Sequence, residues 1–271
     1  MTFTHEEGNV EGVFINAGTG SPIVLIVNGH NGFYSYGMFP HIQTFLAGHG
    51  VSSFSFNFSH GGIIGDRDVF EELDKYERNC MRLEVKDTLT VLKHLRHLSS
   101  TVNPRTFILA HSLGGVPATF STTLAGEEDI SISGLILLSC VQQLDFWPNE
   151  MINKWREERV YYQLNNRTKQ LLPHGEELLT EILHSDGKWN VKKEIAKITC
   201  PILIVHGDAD ESVPVQHAYG LYNAASANNQ AVTLKIVQSA THTYNTRHPF
   251  QGSSSQLHEM LNQVMAFITA T

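Results

Sequence analysis

The chain has 271 residues, of which 41% are hydrophobic and 17% are charged, and its formal net charge is −8. This composition is typical of a soluble globular enzyme that buries a sizeable core. The charged residues are spread along the chain without a block of Lys and Arg, which argues against binding to nucleic acid or to anionic membrane surfaces. We expect neither of these as a partner.

The beginning of the chain and its cysteines bear on its location. The first residues, MTFTHEEGNV, lack the basic and apolar regions of a secretory signal, and the longest apolar runs are too short to span a bilayer. Three cysteines far apart in the chain suit buried thiols in a reducing compartment. We therefore expect a cytoplasmic protein that does not enter a membrane, and the sequence leaves a homodimer open.

Six short apolar runs predict β-strands, with helix-like segments between them. These runs cover residues 21–27, 51–58, 106–109, 134–139, 201–206 and 232–237. Residues 83–98 and 256–268 carry apolar side chains at the three- and four-residue spacing of amphipathic helices. Most of the strands are apolar throughout, as expected where helices cover both faces of a parallel sheet. The alternation predicts an α/β fold with a mostly parallel, doubly wound sheet.

Residues 141–193 interrupt this alternation. The stretch contains no convincing strand, has a higher density of charge and carries all three tryptophans. No Gly/Ser-rich linker flanks it, which indicates a subdomain and not an independent domain. We therefore predict a single domain over residues 1–271, with a small helical cap inserted at about 141–193, before the strand at 201–206.

The segment TFILAHSLGG, residues 106–115, places a serine between a predicted strand and a predicted helix. A sharp turn at this point requires small residues two positions before and after the serine, and Ala110 and Gly114 meet that requirement. Such a turn exposes the hydroxyl group of Ser112 and points the backbone N–H of Leu113 at the site as an oxyanion donor. The alternative is a serine that caps a helix, which any α/β protein can contain.

A serine hydroxyl group needs an adjacent base, and that base needs a carboxylate to orient it. Enzymes with this turn supply the partners in the chain order serine, acid, histidine. The sequence HGDADESVP begins at the end of the strand at 201–206, and QSATHT follows the strand at 232–237. Because the carboxyl ends of parallel strands lie at one edge of a sheet, we expect both loops to lie near Ser112.

With these motifs the chain resembles the α/β-hydrolase superfamily over essentially its whole length. It is most similar to the small esterase and serine-aminopeptidase-like members, which include feruloyl and cinnamoyl esterases. In those proteins the pattern His-Gly-x-x-Asp-x-x-Val-Pro carries the catalytic acid, which implies Asp210, with Asp208 as the rival candidate two residues earlier. The matching base is His242. The resemblance thus implies a catalytic triad of Ser112, Asp210 and His242.

The same resemblance implies a second oxyanion donor in the loop after the first long strand. The family pattern His-Gly-x-x-Gly corresponds here to NGHNG, residues 28–32. The backbone N–H of His30 falls at the position of the donor. Asn28 replaces the histidine of the pattern, but a backbone amide does not depend on that side chain.

Aromatic residues of the predicted cap are candidates for the substrate pocket, namely Phe146, Trp147 and Tyr161. The alternative is that the aromatic residues of this segment only pack the cap onto the sheet. We expect neither a metal ion nor an organic cofactor, because no His-x-x-x-His pair, cysteine pair or carboxylate cluster has the spacing of metal ligands.

Together these features predict a serine hydrolase that forms an acyl-enzyme intermediate, with a small-molecule ester of a small or aromatic acid as its substrate. A peptidase or amidase, or an acyl-thioester hydrolase, would use the same three residues. The alternative from another class is a non-catalytic binding protein on a hydrolase scaffold. The occupation of all three triad positions argues against it.

Overall fold

A computed structural model describes residues 1–98, 104–144, 147–184 and 187–271. Its strands are β1 Thr2–His5, β2 Gly8–Ile15, β3 Ile23–Val27, β4 Ser52–Asn57, β5 Thr106–His111, β6 Gly134–Leu138, β7 Tyr161–Leu164, β8 Leu171–His174, β9 Ile202–Gly207 and β10 Val232–Val237. Eight of them form one sheet in the order β1-β2-β4-β3-β5-β6-β9-β10. All pairs from β4 to β10 in this order are parallel, whereas β1 and β2 are antiparallel to their neighbours.

Helices cover both faces of this sheet. They are α1 Phe39–Gly48, α2 Leu73–Glu77, α3 Met81–Leu98, α4 Gly115–Ala125, α5 Asn149–Glu158, α6 Glu176–Leu183, α7 Val191–Ile195, α8 Gln216–Ser226 and α9 Ser255–Ala270. Side chains of α1 and α9 pack on one face of the sheet, and those of α3, α4 and α8 pack on the other. This arrangement confirms the predicted doubly wound α/β fold. Within the described residues, no helix has the length and apolar character needed to cross a membrane.

The six predicted strands are present, and their ends differ from the predicted ones by at most two residues. The central strands β3, β5, β6 and β9 are buried along their whole length, which explains their continuous apolar runs. The hairpin of β1 and β2 was not predicted. Its sequence contains Gly, Asn and Glu, and it lies at the exposed edge of the sheet, where burial does not impose an apolar run.

The segment between β6 and β9, here called the cap, contains α5, the hairpin of β7 and β8, α6 and α7. The expectation of a purely helical cap is therefore wrong in one respect, since β7 and β8 form a small antiparallel sheet of their own. Each strand has only four residues, and β7 buries neither face fully, so neither produces a recognisable apolar pattern. The assignment of residues 141–193 to a cap within a single domain stays a prediction.

Side chains of α6 and β8 are among those that join the cap to the rest of the chain. The carboxylate of Glu181 in α6 accepts the backbone N–H groups of Met81 at 2.6 Å and Arg82 at 3.1 Å, which have no partner within α3 itself. In β8, the ring of His174 stacks on the ring of His30 with 5.2 Å between centroids. Burial lowers the pKa of His174 to about 3 and that of His30 to about 4, so that both rings are neutral at neutral pH.

We expect Gly114→Ala to destabilise the protein. A Cβ atom at this position would lie 2.3 Å from the carbonyl oxygen of Asn28 and 2.9 Å from that of Val27, and neither backbone atom can move aside easily. The expected loss is about 1–3 kcal/mol in the free energy of unfolding, measured by urea denaturation. Gly48→Ala is the matched control, because no heavy atom lies within 4 Å of its added Cβ. Equal stability of the two variants would contradict the close contact at Gly114.

We expect the free energy of unfolding to fall as the pH drops from about 6.5 towards 3. In this range the unfolded chain binds protons at histidine, whereas burial keeps the pKa of His174 and His30 well below 6.5 in the folded protein. The stability contributed by these groups is thus complete above pH 6.5 and is lost on acidification. His174→Phe keeps a ring but removes one titrating group. It should reduce the slope of the free energy of unfolding against pH by at most about 1.4 kcal/mol per pH unit. Urea denaturation at several pH values measures the slope, and an unchanged slope would show that His174 is not kept neutral by folding.

Candidate active site

Ser112 lies in the sharp turn between β5 and α4, with a backbone φ of 56°. A residue other than glycine is strained in this left-handed region and stays there only when its surroundings hold it. Gly114 lies against the backbone of Asn28, and a Cβ atom on Gly115 would lie 2.7 Å from the Sγ atom of Cys140. The small residues after the serine therefore make room for the chain that leaves β3 and for the chain that leaves β6.

His242 lies between Ser112 and Asp210. Its Nε2 atom is 3.0 Å from the Oγ atom of Ser112, and its Nδ1 atom is 2.8 Å from the Oδ2 atom of Asp210. Asp210 follows β9 and His242 follows β10, so that side chains from three strand ends meet at one edge of the sheet. An ionised Asp210 can only accept from Nδ1–H, which leaves Nε2 free to accept the hydroxyl hydrogen of Ser112.

The carboxyl group of Asp210 is fully buried but well supplied with donors. Its Oδ1 atom accepts the backbone N–H groups of Ser212 at 2.9 Å and Val213 at 2.8 Å, and the Nε2 atom of His206 lies 3.4 Å from Oδ2. Burial by itself would raise the pKa of this group. The hydrogen bonds from His242 and the Val213 N–H, together with the nearby His206 ring, outweigh burial and hold the pKa of Asp210 below its ordinary value. Asp210 therefore carries a negative charge at neutral pH.

Asp208, the rival candidate for the acid, makes a different contact. Its Oδ1 atom accepts the backbone N–H of Ser239 at 2.6 Å, and its side chain lies at the surface. This hydrogen bond ties the loop after β9 to the loop after β10. Asp210, and not Asp208, is the carboxylate that the structure brings to His242.

The loop at residues 28–32 lies directly against the serine turn. A Cβ atom on Gly29 would lie 2.8 Å from the Cβ atom of Ser112 and 3.4 Å from the backbone nitrogen of Leu113. His30 lines the same cavity as Ser112. The two segments that carry the predicted oxyanion donors, at His30 and Leu113, are thus neighbours, and the role of their N–H groups stays a prediction.

Tyr76, which the sequence analysis did not identify, holds this loop from the side of α2. Its hydroxyl group donates to the Oδ1 atom of Asn31 at 2.5 Å. Asn31 has a φ of 60°, in the left-handed region, and so depends on its neighbours for that conformation. No local pattern distinguishes Tyr76 from any other buried tyrosine, because its partner lies 45 positions away in the chain.

His111, the residue before the serine, was also not assigned a role from the sequence. Its Nε2–H group donates to the backbone carbonyl of His242 at 2.9 Å, and the two rings lie 4.7 Å apart. Burial, and to a smaller extent the nearby His242, lower the pKa of His111 to about 3. His111 therefore anchors the loop that carries His242 as a neutral donor.

A cavity of about 250 Å³ contains Ser112 and His242 in its wall. The rest of the wall comes from residues 29–32, from residues 165–167 in the turn between β7 and β8, and from Tyr36, Phe39, His111 and Thr243. Among the described residues, no group of three or more His, Cys, Asp or Glu side chains is arranged to hold a metal ion. The cavity is therefore bounded by the serine turn on one side and by the cap on the other.

Of the three predicted pocket residues, the two that the structure describes, Trp147 and Tyr161, do not line this cavity. Phe146 lies outside the described residues. Trp147 and Tyr161 pack against the buried ring of Trp155, with centroid distances of 6.3 Å and 5.9 Å. Both contribute to the packing of the cap, and their role in substrate binding stays a prediction. The turn at residues 165–167 was missed because its polar residues resemble an ordinary surface turn.

Comparisons with known proteins agree with this architecture. The chain is 24% identical over 245 residues to a monoglyceride lipase homolog of Monkeypox virus, covering 82% of both chains. It is 23% identical over 276 residues to the monoglyceride lipase of Mus musculus, covering 93% of this chain and 86% of that protein. The structure of Est1E from Butyrivibrio proteoclasticus with bound ferulic acid superposes with a TM-score of 0.72 at 19% identity, covering 100% of this chain and 98% of that one.

The profile of the prolyl oligopeptidase family matches residues 71–271, a segment that contains Ser112, Asp210 and His242. The fold of Est1E and the match to this family together confirm the resemblance to α/β-hydrolases. The chain therefore belongs to the prolyl oligopeptidase family and is a serine hydrolase with the α/β-hydrolase fold.

Proposed function

We propose that the protein is a carboxylic ester hydrolase in which Ser112 is the nucleophile, His242 the general base and Asp210 the acid that orients the base. The observation that carries the proposal is the continuous hydrogen-bonded contact from Asp210 through His242 to Ser112, at 2.8 Å and 3.0 Å. Carboxylate, imidazole and hydroxyl groups in this arrangement are what nucleophilic catalysis by serine requires.

The reaction would proceed in two halves. The Nε2 atom of His242 takes the proton of Ser112 as Oγ attacks the ester carbonyl carbon, and the backbone N–H groups of His30 and Leu113 donate to the resulting oxyanion. Collapse of this intermediate breaks the bond to the alcohol, which leaves with the proton from His242. Water then attacks the acyl-enzyme with the same histidine as base, and the acid is released.

The dimensions of the cavity favour a small substrate. Its volume of about 250 Å³ lies below the range of roughly 300–1,000 Å³ that is usual for pockets that enclose drug-sized ligands. A second cavity of about 50 Å³ shares Phe39 and His111 with it and has room for only a few atoms. The aromatic rings of Tyr36 and Phe39 favour an aromatic acyl group. The monoglyceride lipases and the ferulic acid complex among the similar proteins support an ester as the substrate.

Amide hydrolysis is the second candidate, because the family to which the chain belongs is named for a peptidase. The same three residues would attack an amide carbonyl, and His242 would protonate the leaving amine. Aryl esters and aminoacyl anilides distinguish the two reactions. We expect kcat/KM to be higher for aryl esters of acetic and hydroxycinnamic acids. A preference for the anilides would replace the ester hydrolase proposal by the amidase one.

Asp210→Asn and Asp208→Asn form a matched pair that tests the triad. We expect Asp210→Asn to lower kcat by about 10⁴-fold, because an amide in place of the carboxylate stabilises the wrong tautomer of His242. Asp208→Asn should change kcat by less than about threefold, since this group contacts only the backbone N–H of Ser239. A fluorophosphonate probe should label the wild-type protein but not Ser112→Ala. Equal losses in the two aspartate variants, or a wild-type Ser112 that resists the probe, would refute the proposed mechanism.

Tyr76→Phe tests whether the position of the loop at 28–32 matters for the reaction. Loss of the hydroxyl group removes the hydrogen bond to Asn31, and we expect kcat to fall about tenfold, less than the 10²–10³-fold loss of a direct oxyanion donor. KM should stay unchanged, and the affinity for a boronic acid inhibitor should fall in parallel with kcat. Tyr162→Phe, at an exposed position of the cap, is the control. A change in KM alone would contradict this role of Tyr76.

A further inference from the structure

Arg167 brings a positive charge to the cavity that holds Ser112. It lies in the turn between β7 and β8, and among the described residues that line this cavity it is the one Lys or Arg. Its side chain is only 20% exposed. A charged side chain in this position needs compensating partners, and it acts on whatever enters the cavity.

The surroundings of the Arg167 guanidinium group are largely aromatic. Its central carbon lies 5.3 Å from the ring centroid of Phe33 and 5.7 Å from those of Tyr36 and Phe70. Rings at these distances attract a cation but do not accept its hydrogen bonds in the plane of the guanidinium group. Burial accordingly lowers the pKa of Arg167 from its usual value, although the group remains charged.

Asp68 supplies hydrogen-bond acceptors for one of the two terminal nitrogens of the guanidinium group. The Nη1 atom contacts the carboxylate of Asp68 and donates to the backbone carbonyl of the same residue at 2.9 Å. Asp68 also accepts a hydrogen bond from the Nε2–H group of His248 at 2.8 Å, and its side chain is 44% exposed. The Nη2 atom of Arg167 is enclosed and has no hydrogen-bond partner in the described structure.

Buried polar atoms are nearly always hydrogen-bonded, so each exception calls for an explanation. A carboxylate accepts hydrogen bonds in the plane of a guanidinium group, and therefore fits the Nη2 atom of Arg167.

We propose that Arg167 selects substrates that carry a carboxylate group near the scissile ester. This inference rests on the proposed ester hydrolysis and names its substrate class. Among the described residues, two carboxylates lie close to the cavity. Asp210 is buried behind His242 and hydrogen-bonded there, and Asp68 is engaged by Arg167 and His248. Neither occupies the Nη2 side of Arg167.

The test compares esters that differ only in charge. 4-Nitrophenyl hydrogen glutarate and its terminal amide carry the group on the acyl side, whereas 4-acetoxybenzoate and 4-acetoxybenzamide carry it on the alcohol side. We expect the wild-type protein to prefer the carboxylate over the amide by at least about tenfold in kcat/KM in one of the two pairs, which then identifies the side. Arg167→Gln should bring this ratio to about one, mainly by slowing the carboxylate ester.

Arg159→Gln is the matched control, because Arg159 is an exposed arginine of the cap that does not line the cavity. Its ratio should equal that of the wild type. Asp68→Asn distinguishes recognition of the substrate carboxylate by Arg167 from attachment of the cap by the contact between Arg167 and Asp68. This variant keeps Arg167 but removes the competing carboxylate, so the preference for the carboxylate ester should persist or increase.

Three outcomes have distinct meanings. Turnover of the neutral esters without a preference for carboxylate in the wild type overturns this proposal and leaves the proposed function intact. Equal losses on charged and neutral esters in both Arg167→Gln and Asp68→Asn show that Arg167 only holds the cap, and also overturn it. Failure of the wild type to hydrolyse any of the four esters, with no labelling of Ser112 by the fluorophosphonate probe, overturns the proposed function itself.

Discussion

The contact between Gly114 and the backbone of Asn28 is the constraint on which the site depends. β3 and β5 are neighbouring parallel strands, and the chain that leaves each of them turns at the same edge of the sheet. Because no side chain separates the two turns, the loop at 28–32 lies against Ser112 itself. The proposed nucleophile and the predicted oxyanion donors are thus brought together by backbone packing and not by a polar side chain.

The electrostatic character of the site follows from burial. His30, His111 and His174 surround the serine and the cap contact, and burial keeps each of them neutral by lowering its pKa. Asp210 is also buried but stays charged, because several donors stabilise its ionised form. The charge that His242 would acquire during the reaction therefore lies beside one anion and beside uncharged rings, an arrangement that stabilises an imidazolium ion.

Ser112, Asp210 and His242 could be predicted because the family resemblance implies these three residues, and because loops at the carboxyl ends of parallel strands share one edge of the sheet. The contacts of Tyr76 and His111 follow no such rule. Their partners lie 45 and 131 positions away, and only the finished packing brings them together. The hairpin of the cap escaped prediction because four-residue strands carry too little pattern. For the same reason, the aromatic composition of the cap did not distinguish a cavity wall from internal packing around Trp155.

The order of the strands also decides which part of the chain is indispensable. The segment that matches the family begins at residue 71 and contains all three side chains of the proposed triad. Strands β3 and β4 precede it, and β3 pairs with β5, directly before Ser112. A truncated chain that started at residue 71 would leave one side of β5 with unpaired backbone groups and would lack the loop that contacts the serine. The residues of the proposed triad and the means of holding them in place are therefore encoded in different stretches of the polypeptide.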